Sequence, residues 1–257
     1  MWTSLKWREY RKYPWRGGEL FGVILQAIGI TVFLAYFFYR SLWAFIPLSV
    51  VGIAYFRLEQ QRRIDKRKEM LLVQFKECIL SVSASLQAGY AIENAFMESR
   101  KDMQMLYGEQ AMIYQELEVI RRGLVINITL EKLLEDFANR SDCEEIRQFT
   151  QIVSIAKRSG GNLSEIIYTS SEMIGQRIDA KQEIRVLLSG RRMEQNIMKC
   201  MPFAILFYVG ISYPGYFDML YHNWQGVSVM TGCLLLYLGA YMLGDKILSD
   251  IMAQMMS

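Results

Sequence analysis

The side chains that could carry chemistry are few, and their spacing suits none of the common reactions. Cys78, Cys143, Cys200 and Cys233 lie far apart with no Cys-x-x-Cys pair, which argues against both a zinc knuckle and a disulfide scaffold. Cys200 and Cys233 fall inside apolar stretches, where small soft side chains simply pack. His222 is the single histidine and has no nearby Cys or second His with which to share a metal. With Asp218 it forms a titratable pair, read as incidental rather than catalytic. There is no G-x-x-x-x-G-K-[ST] phosphate loop, no G-x-S-x-G elbow and no H-E-x-x-H, the spacings that place a phosphate cradle, a nucleophile or a zinc ligand pair. No catalytic, cofactor-binding or metal-ligating residue is assigned, and the chain is read as a non-enzyme. What does gather is carboxylate, at Glu131, Glu135, Asp136, Asp142, Glu144 and Glu145. Two readings stay open for it: a solvated face whose acids suit helix N-termini, or a docking surface for a basic partner.

These acids belong to a stretch, 57–199, that contains no proline and has apolar residues every three to four positions, so it reads as helical throughout. Leu71, Phe75, Cys78/Ile79, Val82 and Leu86 stripe a first helix that Gly89 ends. Ala91/Ile92, Ala95 and Phe96 open a second, and Ile113, Leu117, Ile120 and Leu124 stripe a third. After a break at Gly123–Asn127, Thr129 is positioned to cap a fourth helix with Leu130, Leu133, Leu134 and Phe137. Asp142-x-x-Glu145 has the form of a capping box opening a fifth helix, with Ile146, Phe149, Ile152/Val153 and Ala156. Gly160-Gly161 stops that helix, and Asn162-x-x-Glu165 caps a long sixth. Met97, Met103, Met105 and Met112 read as core filler rather than a cofactor box.

The charges are unevenly laid out. The stretches 20–39, 41–56, 200–217 and 227–244 contain no Asp, Glu, Lys or Arg, so all 29 basic and 26 acidic residues lie outside them. Uncharged runs of about 20 residues match a bilayer core of about 30 Å. The expectation is therefore an all-α multi-pass membrane protein: a basic arm at 1–19, a two-span hairpin at 20–56, a cytoplasmic helical domain at 57–199, a second hairpin at 200–245 and a tail at 246–257. The first apolar run is longer than a signal-peptide core and no A-x-A-like site follows, so it reads as retained. Pro47 shortens the second, leaving its full crossing open. Lys and Arg crowd the flanks of 1–19, 57–68 and 191–199, which puts both termini on the cytoplasmic side. Trp15, Trp43 and Trp224 fall at the expected interfaces.

Within 57–199 the two ends are basic and suit an anionic lipid bilayer, while the central part, 69–172, is acidic. The net charge of +3 is too small to argue for nucleic acid.

Two segments then carry a resemblance. Ser85–Phe96 (SLQAGYAIENAF) and Ile155–Ile166 (IAKRSGGNLSEI) are similar to the two hallmark turns of the type II secretion system F domain. Ala88, Gly89, Gly160, Gly161 and Asn162 stand at those turns. Leu130–Arg140 (LEKLLEDFANR) resembles that domain's fourth helix, and Pro202 sits where the family begins its next span. One copy of the domain between two hairpins resembles the TadB/TadC branch, the platform proteins of tight-adherence (Flp-type) pili, in the bacterial inner membrane. The sequence departs from the pattern at Asn127, where the family often has glycine; Asn tolerates the left-handed conformation.

The resemblance implies a platform that relays motion from a cytoplasmic secretion ATPase to pilin subunits, using no cofactor. A second F-domain subunit, or another copy of itself, would be its partner. On this reading Glu131, Glu135, Asp136, Glu144 and Glu145 would dock the ATPase. Two alternatives are a scaffold of a sporulation or signalling complex built on a related helical domain, and a small transporter subunit. The scarcity of polar residues in the apolar stretches disfavours the transporter.

Overall fold

The structure, a computed structural model, describes residues 21–25, 28–29, 45–159, 162–213 and 224–256. These residues are helical throughout, with no strand among them. The elements are α1 (Phe45–Gln87), α2 (Ile92–Tyr107), α3 (Met112–Val125), α4 (Leu130–Ser141), α5 (Glu144–Ser159), α6 (Leu163–Ser212) and α7 (Trp224–Met256). The described residues divide into two compact units: one formed by Gln60–Ala180, the other by the described residues before Gln60 together with those from Lys181 on.

The first unit is a six-helix up-and-down bundle whose core is the set of predicted stripes. Leu71, Phe75, Cys78, Ile79, Val82 and Leu86 of α1 are all buried. So are Ile92, Ala95 and Phe96 of α2, and Ile113, Leu117 and Ile120 of α3. Leu130, Leu133, Leu134 and Phe137 of α4 pack with Ile146, Phe149, Val153 and Ala156 of α5. Burying each such large side chain contributes about 1.5–3 kcal/mol before conformational entropy is subtracted. Four of the rings form an edge-to-face chain: Phe75 meets Phe137 at 6.2 Å and Phe149 at 5.5 Å, and Phe149 meets Phe96 at 6.5 Å. One ring system thus ties α1, α2, α4 and α5 together. Met103 joins this core, but Met105 is 84% exposed, so the methionines do not form one stripe.

The turns alternate between the two ends of the bundle. Lys68 near the start of this part of α1 pairs with Asp142 between α4 and α5 at 2.8 Å, and Gln74 Oε1 accepts the amide N–H of Ile113 at the start of α3. That N–H is one of the first-turn donors a helix cannot satisfy itself, and Ala111 at the N-cap offers no acceptor. At the opposite end lie the α1–α2, α3–α4 and α5–α6 turns.

Two expected caps differ. Asp142 is the left-handed C-cap of α4, with φ 53°, not the extended N-cap of a capping box, and its carboxylate accepts from Lys68. Thr129 stands at the N-cap of α4 without a side-chain capping bond.

In the second unit, α6 and α7 meet around Lys199. Its ammonium pairs with Asp245 at 2.5 Å and lies 3.9 Å from the Tyr241 ring centroid, while its carbonyl accepts from the Tyr237 hydroxyl at 3.1 Å. Phe203 stacks edge-on against Tyr237 at 5.1 Å. Pro202 lies inside α6 and does not end it, although its ring cannot donate to the carbonyl of Met198.

Among the described residues, no helix is long and apolar enough to cross a membrane. That finding overturns the multi-pass architecture and, with it, the placement in a bacterial inner membrane with both termini inside. The uncharged part of α6 starts at Cys200 and the helix ends at Ser212, about 20 Å at 1.5 Å per residue, short of a core of about 30 Å. α1 passes directly from Phe56 to Arg57. The arm at 1–19, most of the stretch 20–44, Trp15, Trp43, Asp218 and His222 lie outside the described residues.

Candidate functional site: the turn end of the bundle

The residues that carry the family-like pattern meet at one end of the six-helix unit. At the α1–α2 turn, Gly89 adopts φ 89°, its N–H donates to Leu86 O at 3.0 Å and that of Tyr90 to Ser85 O at 3.1 Å. This pair of bonds satisfies the last carbonyls of α1 and needs a left-handed residue at Gly89. Ala88 sits beside it, its N–H donating to Ala84 O at 3.0 Å.

Asn127 does the same for α3. It has φ 60°, donates its N–H to Leu124 O at 3.0 Å, and is followed by Ile128 donating to Gly123 O at 3.0 Å. Asparagine here takes the backbone conformation that glycine favours. α3 and α4 also approach closely at Gly123, where a Cβ would collide with the Leu133 side chain.

At the third turn, Asn162 Oδ1 accepts the N–H of Glu165 at 3.4 Å and Asn162 Nδ2 donates to the Glu165 carboxylate at 2.8 Å, opening α6 as its sequence suggests. Gly160 and Gly161 lie outside the described residues.

Lys157, in the last turn of α5, links these turns. It contacts Glu93, in the first turn of α2, at 2.8 Å and Glu131, in the first turn of α4, at 3.2 Å. Hydrogen bonding to Glu93 and, more weakly, to Glu131 raises the Lys157 pKa. One ammonium at a helix C-terminus, shared by two carboxylates at helix N-termini, is also the favourable arrangement for three helix dipoles.

The five residues assigned to docking do not form one surface. Glu131 belongs to the Lys157 bridge. Glu135 is exposed on α4, Glu144 is exposed at the far end of the bundle, and Asp136 pairs with Arg140 at 2.8 Å. Glu145 is buried, 4% exposed. α4 spans about 18 Å, so Glu131 and Glu144 stand at opposite ends of it.

Sequence reasoning missed two charge clusters. Arg140 and Glu116 are 8% and 1% exposed and form a two-pronged pair at 2.9 and 2.7 Å, with Arg140 Nε donating to Asp136 at 2.8 Å. Burial disfavours the guanidinium charge, but the two carboxylates outweigh it and the arginine pKa is raised. Glu118 takes hydrogen bonds from Arg121 at 2.9 and 2.5 Å and from Arg122 at 3.1 Å, and Arg100 stands 3.7 Å away. Arg121 foremost, then Arg122, holds Glu118 down to about 2. The Arg121 pair was legible as an i,i+3 spacing and the Arg122 pair as i,i+4. Nothing in the sequence singled out Glu116, because its partner lies on another helix.

Burial pushes the Cys78 thiol up to about 12, so it stays protonated and unreactive near neutrality. Among the described residues, no three His, Cys, Asp or Glu side chains stand together as a metal ligand set.

Comparison with known proteins adds no relative: no protein-family model, no curated protein and no solved structure matches the chain.

Proposed function

We propose that the chain is a platform subunit of a Tad/Flp-type pilus or type II secretion-like machine. It is a helical adaptor without catalysis of its own that couples a secretion ATPase to pilin assembly. A second F-domain subunit or another copy of the chain would complete the platform.

The observation that carries this reading is the convergence of the F-domain-like turns. The Gly89 and Asn127 turns and the Asn162 cap lie at one end of a six-helix bundle and are tied together by Lys157. A bundle with a pre-ordered end suits transmission of force between partners better than turnover of a substrate. The exposed carboxylates Glu135 and Glu144 remain the docking candidates, since Glu145 is buried.

Affinity purification of the full-length chain, co-expressed with the secretion ATPase of the same machine, tests this. The ATPase is expected to co-elute with the wild type and to be lost from Glu135→Lys/Glu144→Lys at unchanged helical content. A wild type that brings down no ATPase overturns the assignment; co-elution that survives the double reversal overturns the two docking residues.

A further inference from the structure

In the second unit, α6 turns one face to α7 and leaves the opposite face uncovered. Lys199 and Phe203, one helical turn apart, make the contacts with Tyr237, Tyr241 and Asp245 of α7. On the far side of the helix Val186, Met193, Ile197, Met201, Tyr208 and Ile211 recur at steps of three, four or seven residues. All six are more than half exposed, from 53% to 71%. Gly190 and Ala204, also exposed, fall on the same line and fill its two longer gaps. The stripe is about 38 Å long at about 1.5 Å per residue, and it carries no charged side chain.

Three features select a second copy of the chain as its occupant. The first is area: side chains of this kind offer on the order of 100 Å² each, so the stripe with its neighbours Leu187 and Ile205 approaches the roughly 800 Å² per partner of a standard interface. Monomeric proteins seldom leave so large a continuous apolar patch uncovered. The second is the repeat, which is that of a helix whose side chains enter the holes of another helix with the same repeat. A second copy supplies that repeat over the same length. The third is charge, because a surface that meets its own copy must avoid like-charge repulsion, and an uncharged stripe does so. The charges nearest it are acids, Glu183 and Glu194, and Glu194 is engaged by Arg191 at 3.1 Å. By helical spacing Lys181, Arg185, Arg192 and Lys199 lie on the α7 side, so an anionic lipid surface would meet the acidic edge.

We propose that two copies of the chain pair about a two-fold axis through the outer face of α6, stripe against stripe. The inference goes beyond the platform reading, which leaves the second subunit open, and it stands without that reading because no ATPase takes part.

Sedimentation velocity of the purified full-length chain at micromolar concentration, without ATPase or lipid, tests it. The wild type is expected to sediment as a dimer. Met201→Glu is expected to weaken pairing about a hundredfold, because each copy then brings a charge into an apolar contact. Met242→Glu removes an apolar side chain of similar exposure from α7 and is expected to leave the dimer intact. If Met201→Glu loses helical content by circular dichroism, Ile197→Ala/Met201→Ala replaces it, with an expected loss of about tenfold. A wild type that stays monomeric overturns the proposal, as does pairing that survives every folded stripe variant. Aggregates dispersed equally by Met201→Glu and Met242→Glu overturn it too. So does a monomeric wild type that binds phosphatidylglycerol vesicles and loses them on Met201→Glu, since lipid and not a second copy then covers the stripe.

Discussion

Arg140 and its partner Glu116 are charged side chains held inside the bundle, 8% and 1% exposed. A guanidinium at 8% exposure survives because Glu116 meets it in a bidentate fork and Asp136 accepts its Nε–H. Such a pair adds little net stability over an apolar pair of similar size, yet breaking it strands a charge. Glu116→Leu should cost about 3–5 kcal/mol in urea unfolding, whereas Glu116→Leu/Arg140→Met should recover most of the loss. Glu118 behaves differently, being nearer the surface and engaged by Arg121 and Arg122. Its folded pKa of about 2 lies below the ordinary 4.5, so its contribution is complete above about pH 4.5 and disappears as the pH falls towards 2. Unfolding free energy measured between pH 5 and 2 should therefore fall less steeply for Glu118→Gln than for the wild type. The Glu118 pairs were readable from helical spacing alone. The Glu116 pair was not: an acid in an amphipathic helix looks like any solvated acid until a residue from another helix arrives.

The helices themselves were legible, because a 3.6-residue apolar period reports which face is buried. Leu71 through Leu86, and Leu130 through Phe137, are buried as their spacing implies. The caps were less so. Asp142-x-x-Glu145 satisfies the spacing of a capping box, but Asp142 bonds to Lys68 across 74 residues and its backbone turns left-handed to close α4. Asn127 illustrates the opposite case, since the residue type that tolerates φ 60° occurs where φ 60° is needed. Asn127→Gly should leave stability unchanged within about 0.5 kcal/mol, and Asn127→Val should lose about 1–2 kcal/mol, as a β-branched residue resists that conformation. Gly123→Ala should cost about 1–3 kcal/mol by forcing Leu133 out of its contact with α3. Urea titration of the three variants checks all of these values.

At the scale of the molecule, the chain forms two units, and the first has a core of its own running from Leu71 to Ile178. Residues 60–180 expressed alone should keep a helical circular dichroism spectrum and melt in one cooperative transition; a broad, featureless melt would show that the core depends on the rest of the chain. The stretch 57–199 expected as one domain is divided at Ala180, beyond which Val186, Leu187 and Met193 of α6 are exposed. The uncharged stretches were plain in the sequence, but whether such a stretch crosses a bilayer depends on the helix that contains it. Among the described residues, none is long and apolar enough. The sequence by itself determined the all-helical character, the positions of the core stripes, the left-handed turns at Gly89 and Asn127, and the lack of any catalytic motif, because each follows from local periodicity or residue type. Only the tertiary structure decided which acids are surface and which are buried, and that Lys157 joins turns at one end through Glu93 and Glu131. Those outcomes rest on contacts between helices distant in the chain, and no local spacing encodes them.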